Sequence, residues 1–423
     1  MNTFIQRFTL LLSDTALRSR LLFVIGILAL SRVLAVVPIP SVDAARLQLF
    51  FSSNQFFGLL NIFSGGGLSN LSIILLGVGP YITASIIMQL MTIMIPRLKQ
   101  LYQEEGELGR KKFSQYSRIL SLPIAALQGI AFLLLLKRGG VIPDLTLFQF
   151  TVNVAVVTAG SMLLMWLGEL ISEYGLGNGV SIIIFSGIVA RLPQATSQTL
   201  FSFDPTLIPM YAGFLAAAIA IVAAVVIISE AERPVPVTYA KRVRGMKFFG
   251  GASTYLPLRL NQAGVIPLIF ALSLLLMPQM IASFFATSGN AIIASIANTV
   301  LGGLQNLMLY GALYFFLVFL FTYFYTAITF EPKTISDNLQ KNGAFIPGVR
   351  PGPSTADYLA KVITRITFVG ALFLGVIAVL PIAMQAVTGI QALTIGGTAL
   401  LIVVSVVLDL ARRIDAQLSI REY

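Results

Sequence analysis

The sequence predicts an all-α polytopic membrane protein with ten transmembrane helices, and three observations carry that prediction. Of 423 residues, 57% are hydrophobic and only 11% charged, where a soluble domain carries about 25% charged residues. Apolar runs recur along the whole chain, and a bilayer core of about 30 Å needs roughly 20 helical residues per crossing. Lys and Arg, in excess over Asp and Glu by 11, fall almost entirely on one side of those runs. A soluble enzyme is excluded. With no Cys and no His, so are disulfides, thiolate zinc sites and every His-based catalytic device.

In chain order the spans centre near Ile27, Ile86, Phe132, Val157, Ile184, Ile219, Leu272, Phe319, Leu372 and Val403. The first follows "LRSR" and is not succeeded by a small-residue cleavage site, so it reads as a retained helix. The second is broken: "LLNIFSGGGLSN" precedes it, and Gly77, Gly79 and Pro80 interrupt it before "YITASIIMQLM". The fifth offers only "VSIIIFSGIVA" ahead of a polar stretch, too short to face lipid throughout. The seventh opens "NQAGVIPLIF", with Gly264 and Pro267 breaking its first turns. The eighth carries the aromatic run "YFFLVFLFTYFYTAITF", a lipid-facing and packing surface. Near the end of the tenth, Asp409 and Arg413 have i, i+4 spacing suited to an ion pair.

An even number of spans puts both termini on one side. That side holds 23 Lys and Arg, the other holds four, and Arg32 lies within the first span. Termini and basic loops therefore face the cytosol. Residues 1–20 form an N-terminal tail, 21–206 a first five-helix half, 207–410 a second half, and 411–423 a C-terminal tail. The second half carries two long basic loops, 230–261 and 331–361. In these, "ERPVPV", "GGASTYLPL" and "IPGVRPGPS" impose fixed turns and hold Arg and Lys at defined positions, which suits a docking surface better than a plain retention signal.

Broken helices in both halves point to two inverted five-helix repeats around a central path, because five is odd and the second copy must enter from the opposite side. The interior lacks the midplane carboxylates of an ion-coupled carrier. Arg32, Glu169 and Asp409 lie near span ends, where long side chains snorkel or pair. No phosphate-binding loop occurs, and "GLGNG" from Gly175 is not a dinucleotide fingerprint. The chain offers no catalytic site, metal site or cofactor site. It does offer isoleucine: Ile82 and Ile86 lie one turn apart on the second span, and Ile184 and Ile188 repeat the spacing on the fifth. Such pairs serve either as ordinary packing or, on these interrupted spans, as a hydrophobic constriction that excludes ions by dewetting.

Several long motifs resemble the SecY family, the channel subunits of the bacterial Sec protein translocase. They are "IFSGGGLSNLSIILLGVGPYITASIIMQLM" from Ile62, "MWLGELISEYGLGNGVSIIIFSGIVA" from Met165, "YAKR" at Tyr239 followed by "STYLPLRLNQAGVIP", "DNLQKNGAFIPGVRPG" from Asp337 and "GGTALLIVV" from Gly396. They run in the family's order over nearly the whole chain. The resemblance implies a passive protein-conducting channel shaped as a central hourglass pore. Its pore ring falls on Ile82, Ile86, Ile184, Ile188, Ile269 and Ile402. The plug falls on about 60–70, with Asn61, Ile62, Phe63, Ser64, Gly65, Gly66, Gly67 and Leu68 at its centre. A lateral gate lies between spans two and three on one side and seven and eight on the other, with Thr92 and Gln128 as its polar residues. Lys241, Arg242, Lys247 and Arg350 match positions that engage the ribosome or the motor ATPase SecA. Met246 stands where many relatives are basic. Further partners implied are SecE-like and SecG-like small membrane subunits, signal sequences, nascent polypeptide and membrane lipid, with no nucleic-acid binding beyond ribosomal contacts. The implied location is the bacterial plasma membrane, a thylakoid or plastid membrane being the alternative.

Overall fold

The computed structural model describes residues 14–39, 71–103, 105–138, 142–143, 145–190, 193, 197, 208–239, 242–244, 247–249, 253–286, 290–388 and 391–421. Helices α1 (Thr15–Val36), α2 (Gly79–Met94), α3 (Pro96–Gln103), α4 (Gly106–Arg138), α5 (Leu147–Tyr174) and α6 (Gly179–Val189) build the first half. The second half contains α7 (Ile208–Glu230), α8 (Ile266–Phe285), α9 (Ala291–Gln305), α10 (Leu307–Thr329), α11 (Pro332–Lys341), α12 (Pro353–Thr388) and α13 (Gln391–Arg421). Each of the ten span centres read from the sequence falls inside one of these helices. Helix α13 runs on to Arg421, through most of the stretch read as a C-terminal tail.

Local chemistry sets where the helices begin. The Asp14 carboxylate accepts from the Ala16 and Leu17 amides at 2.9 and 3.4 Å, and Thr146 and Gln149 form a reciprocal capping box at the start of α5; both satisfy amides that a helix leaves without partners. Pro80 and Pro267 sit in the first turns of α2 and α8. In both, the ring starts the helix rather than breaking it, since a first-turn amide has no intrahelical acceptor to lose. The Pro267 break read from the sequence is therefore a start signal. At the C-terminal end of α2 the chain turns through 115° into α3.

The interrupted spans follow the rule that backbone leaving the helix within a bilayer must be buried in protein. Ahead of α2, Leu71, Ser72, Ile74, Leu75, Leu76 and Val78 form buried turns. They are tied to the end of α1 by Ile39 N–H to Leu71 O at 2.8 Å and Ile73 N–H to Val37 O at 3.0 Å. Gly77 takes φ +59° there, and its carbonyl accepts from the Ser161 hydroxyl at 2.8 Å. Helix α6 has 11 residues, about 16 Å at 1.5 Å per residue, and it buries Ile182, Ile183, Ile184 and Ile188 instead of showing them to lipid. It approaches α5 so closely that a β-carbon on Gly179 would collide with the Gly168 carbonyl oxygen.

The two basic loops differ from the expected strings of turns. Strands β1 (Glu232–Tyr239), β2 (Arg242–Arg244), β3 (Lys247–Phe249), β4 (Ser253–Arg259) and β5 (Ala344–Phe345) fall within them. Strands β4, β1 and β5 form one antiparallel sheet, with Pro234 opposite Pro257 and Thr238 opposite both Ser253 and Phe345. Proline normally argues against a strand because it cannot donate to the ladder. Here β5 covers only Thr238 and Tyr239, so β1 is unpaired on that side at Pro234 and Pro236. Under the sheet, Val235, Val237, Leu258, Ala344 and Ile346 pack on Leu359, Val362, Ile363 and Ile366 of α12. Both loops are thus one platform seated on a spanning helix.

Candidate functional site: an isoleucine neck beneath a polar vestibule

Ile82 and Ile86 of α2, Ile184 and Ile188 of α6, Ile269 of α8 and Ile402 of α13 all enter one buried cluster, and none is more than 5% exposed. The first half contributes four of these side chains and the second half two. They share that cluster with many other buried residues, among them Leu272, Val318 and Phe321, so four separate helices bring branched aliphatic groups to one apolar core. Such side chains have no hydrogen-bonding group to offer water or ions. Only dispersion and burial hold them together.

Beside this cluster lies a cavity of about 190 Å³ lined by Asn178, Ser181, Asn261, Gln262, Arg412 and Arg413 with Val265 and Val406. Its wall is organised by charge. The Arg412 guanidinium bonds Glu230 at 2.8 Å and the Ser229 carbonyl, clamping α13 to the end of α7. Arg413 pairs with Asp409 at 3.0 Å, as their spacing suggests. Asn261 donates to the Gly264 carbonyl at 3.3 Å, bracing the turn into α8 where Gly264 holds φ +61°. The polar vestibule was not legible in the sequence, since its lining comes from five distant segments. The only local hint is Gly177-Asn178, where "GLGNG" turns with φ +87° before Asn178 caps α6.

Where the two halves meet, α8 packs directly on α2 and α4. A cavity of about 40 Å³ on this seam is lined by Gly79, Thr83, Gln128, Ser273, Met277 and Met280, among others. Gln128 therefore lies on the seam, with Thr83 and Ser273 as polar neighbours that the sequence did not single out. Thr92 does not line this cavity; it is buried near the other end of α2, its hydroxyl donating to the Gln89 carbonyl at 2.6 Å. Within the first half, Arg118 of α4 is ion-paired with Glu169 of α5, which accounts for that carboxylate inside an apolar span.

Of the residues expected to engage partners, Arg350 is exposed and its backbone is pinned on both sides. The Thr355 hydroxyl donates to the Arg350 carbonyl at 2.9 Å, the buried Ser336 hydroxyl donates to the Gly352 carbonyl at 2.7 Å, and Gly348 and Gly352 take φ of +81° and +97°. Those angles suit glycine alone among ordinary residues. Arg242 and Lys247 sit on β2 and β3, which pair with Arg242 opposite Phe249 and Arg244 opposite Lys247. Lys241 and the plug residues Asn61–Leu68 lie outside the described residues.

The SecY family profile matches residues 72–411. The protein translocase subunit SecY of Mycobacterium bovis is 44% identical over 428 residues, covering 96% of each chain. That of Streptomyces scabiei is 41% identical with the same coverage. Among solved structures, a protein-conducting channel superposes with a TM-score of 0.64 at 18% identity, covering 93% of this chain and 90% of its own. Sec61 from the canine ribosome–channel complex of the endoplasmic reticulum superposes with a TM-score of 0.60 at 17% identity over the same shares. With the family profile matched over residues 72–411 and 41–44% identity over 96% of its length, this chain belongs to the SecY family.

Proposed function

We propose that this chain is a passive protein-conducting channel. Unfolded polypeptide enters the polar vestibule, passes the ring of Ile82, Ile86, Ile184, Ile188, Ile269 and Ile402, and crosses the membrane, or leaves sideways into lipid where α8 parts from α2 and α4. The observation that supports this reading is the burial of six isoleucines, from helices of both halves, in one apolar cluster that adjoins a polar cavity. Aliphatic side chains without directional bonds can fit around many sequences and close again behind them. Residues 61–68 serve as the resting plug, and Gln128, with Thr92 nearer the cytosol, tunes the seam.

The chain itself catalyses no reaction, so the driving force comes from cytosolic partners. Arg350, Lys241, Arg242 and Lys247 on the platform receive the ribosome or a SecA-type motor; the superposition on ribosome-bound Sec61 supports the ribosome. A fixed guanidinium such as Arg350 suits bidentate contact with carboxylate or phosphate. SecE-like and SecG-like subunits complete the assembly, and the charge asymmetry supports a bacterial plasma membrane with both termini cytosolic. Reconstitution with these subunits and SecA tests the reading: ATP-dependent uptake of an unfolded preprotein supports it, and a saturable flux of a small solute through the purified chain alone would replace it.

A further inference from the structure

Helix α9, which joins α8 to α10 on the external side, has three faces where a helix on a soluble protein has two. Ala297 is buried, and Ala294, Leu301 and Leu304 beside it are half-buried. At 3.6 residues per turn a second arc holds Ser295, Asn298, Thr299 and Gln305, all exposed and polar. The third arc holds Ile292, Ile293, Ile296 and Val300, exposed by 71, 40, 62 and 39%. The helix is fixed at both ends. Asn290 caps its start, accepting from the Ile292 amide at 3.1 Å, and Asn306 ends it while capping α10 through the Met308 and Leu309 amides at 3.0 and 3.4 Å.

We propose that α9 lies in the membrane plane with its isoleucine arc sunk into the boundary between headgroups and acyl chains of the external leaflet. Apolar exposure continues from both adjoining helices onto this arc: the end of α8 exposes Ile281 and Phe285, and the first turn of α10 exposes Met308 and Leu309. Charge agrees. Not one Asp, Glu, Lys or Arg occurs between Arg259 and Glu331, although a connection bathed in water would ordinarily carry some. An interfacial helix without cations is held by buried apolar area alone, so its seating is independent of anionic lipid. Because α8 forms the second-half side of the seam, α9, which follows it, ties that side to the lipid leaflet. The inference rests on the proposed orientation of the spans.

The chain has no native cysteine, so Ile296→Cys, Asn298→Cys and Leu301→Cys each give a unique site for a nitroxide label. In the full chain reconstituted into phosphatidylcholine vesicles, the ratio of oxygen to nickel-chelate accessibility should be several-fold higher at 296 than at 298, and position 301 should be shielded from both reagents. Adding phosphatidylglycerol should leave these values unchanged. Equal ratios at 296 and 298 would place α9 in water, and a label at 296 shielded from both would place it against protein; either overturns the proposal alone. An impermeant maleimide added to intact cells should label Asn298→Cys. Labelling only after permeabilisation would overturn the proposal together with the orientation.

Discussion

The proposed isoleucine neck and the platform built from the two basic loops both lie in buried apolar clusters, but they are held by different means. In the platform, Val235, Val237 and Leu258 sit beneath a sheet whose register runs from Glu232 opposite Arg259 to Thr238 opposite Ser253. Hydrogen bonds of the backbone hold that register, and a slip of one residue would turn every inward side chain outward. In the proposed neck, side chains from four helices share one apolar cluster, and each helix bonds its backbone within itself. A cluster held by directional bonds resists deformation, whereas one held by dispersion can part and reclose. The same kind of residue therefore makes a rigid handle in one place and an opening seal in the other.

Breaking the handle should have the largest effect. Val237→Asp places a carboxylate in the platform core, where an unpaired buried charge costs roughly 3 kcal/mol or more. The loops should become protease-sensitive in inside-out vesicles and translocation should fall more than tenfold, on the order of 1.4 kcal/mol in effective coupling, with the neck still sealed. Full translocation through a protein with a digested platform would show that the handle is dispensable.

Opening the seal comes next. Ile86→Ser, Ile188→Ser and Ile402→Ser combined should raise resting ion conductance in planar bilayers, and removing residues 62–68 should raise it further. If these isoleucines were packing residues only, stability would drop by roughly 1 kcal/mol or more per truncation with no leak. Unchanged conductance in a folded triple variant would end the neck assignment.

A single charge on the handle should matter less. Arg350→Glu should lower translocation several-fold while the chain still inserts, and Arg350→Lys should recover only part, because an ammonium lacks the planar fork. Normal preprotein uptake by Arg350→Glu would reduce that residue to a topology charge.

The smallest expected effect lies on the seam. Gln128→Leu removes a polar group from its cavity and should strengthen closure by about 1 kcal/mol, so weakly hydrophobic signal sequences should be used less well than strong ones. Thr92→Val, which loses only a bond to its own helix, should discriminate between them less. Equal behaviour of the two variants would mean that lining the seam cavity confers no special role.

The helices at all ten expected span centres were legible in the residue order. Each is a local property, a run of apolar residues long enough to form a helix suited to the bilayer. The turns around Arg350 were legible for the same reason, since Pro347-Gly348 and Pro351-Gly352 act within four or five residues. The prolines of "ERPVPV" misled, because a strand paired on one side tolerates them and nothing local reveals which side is free.

What the tertiary structure alone decided is which distant residues meet. Ile402 joins Ile82 and Ile184, Tyr239 pairs with Ala344, Arg412 clamps Glu230 across 182 residues, and Gln128 shares its cavity with Ser273 rather than Thr92. Helical periodicity places a side chain on a face of its own helix. It leaves open the rotation and depth at which that helix packs, and those are settled by close approaches such as Gly179 on Gly168 and the Ser161 bond to Gly77, where two segments fit at one register and collide at its neighbours.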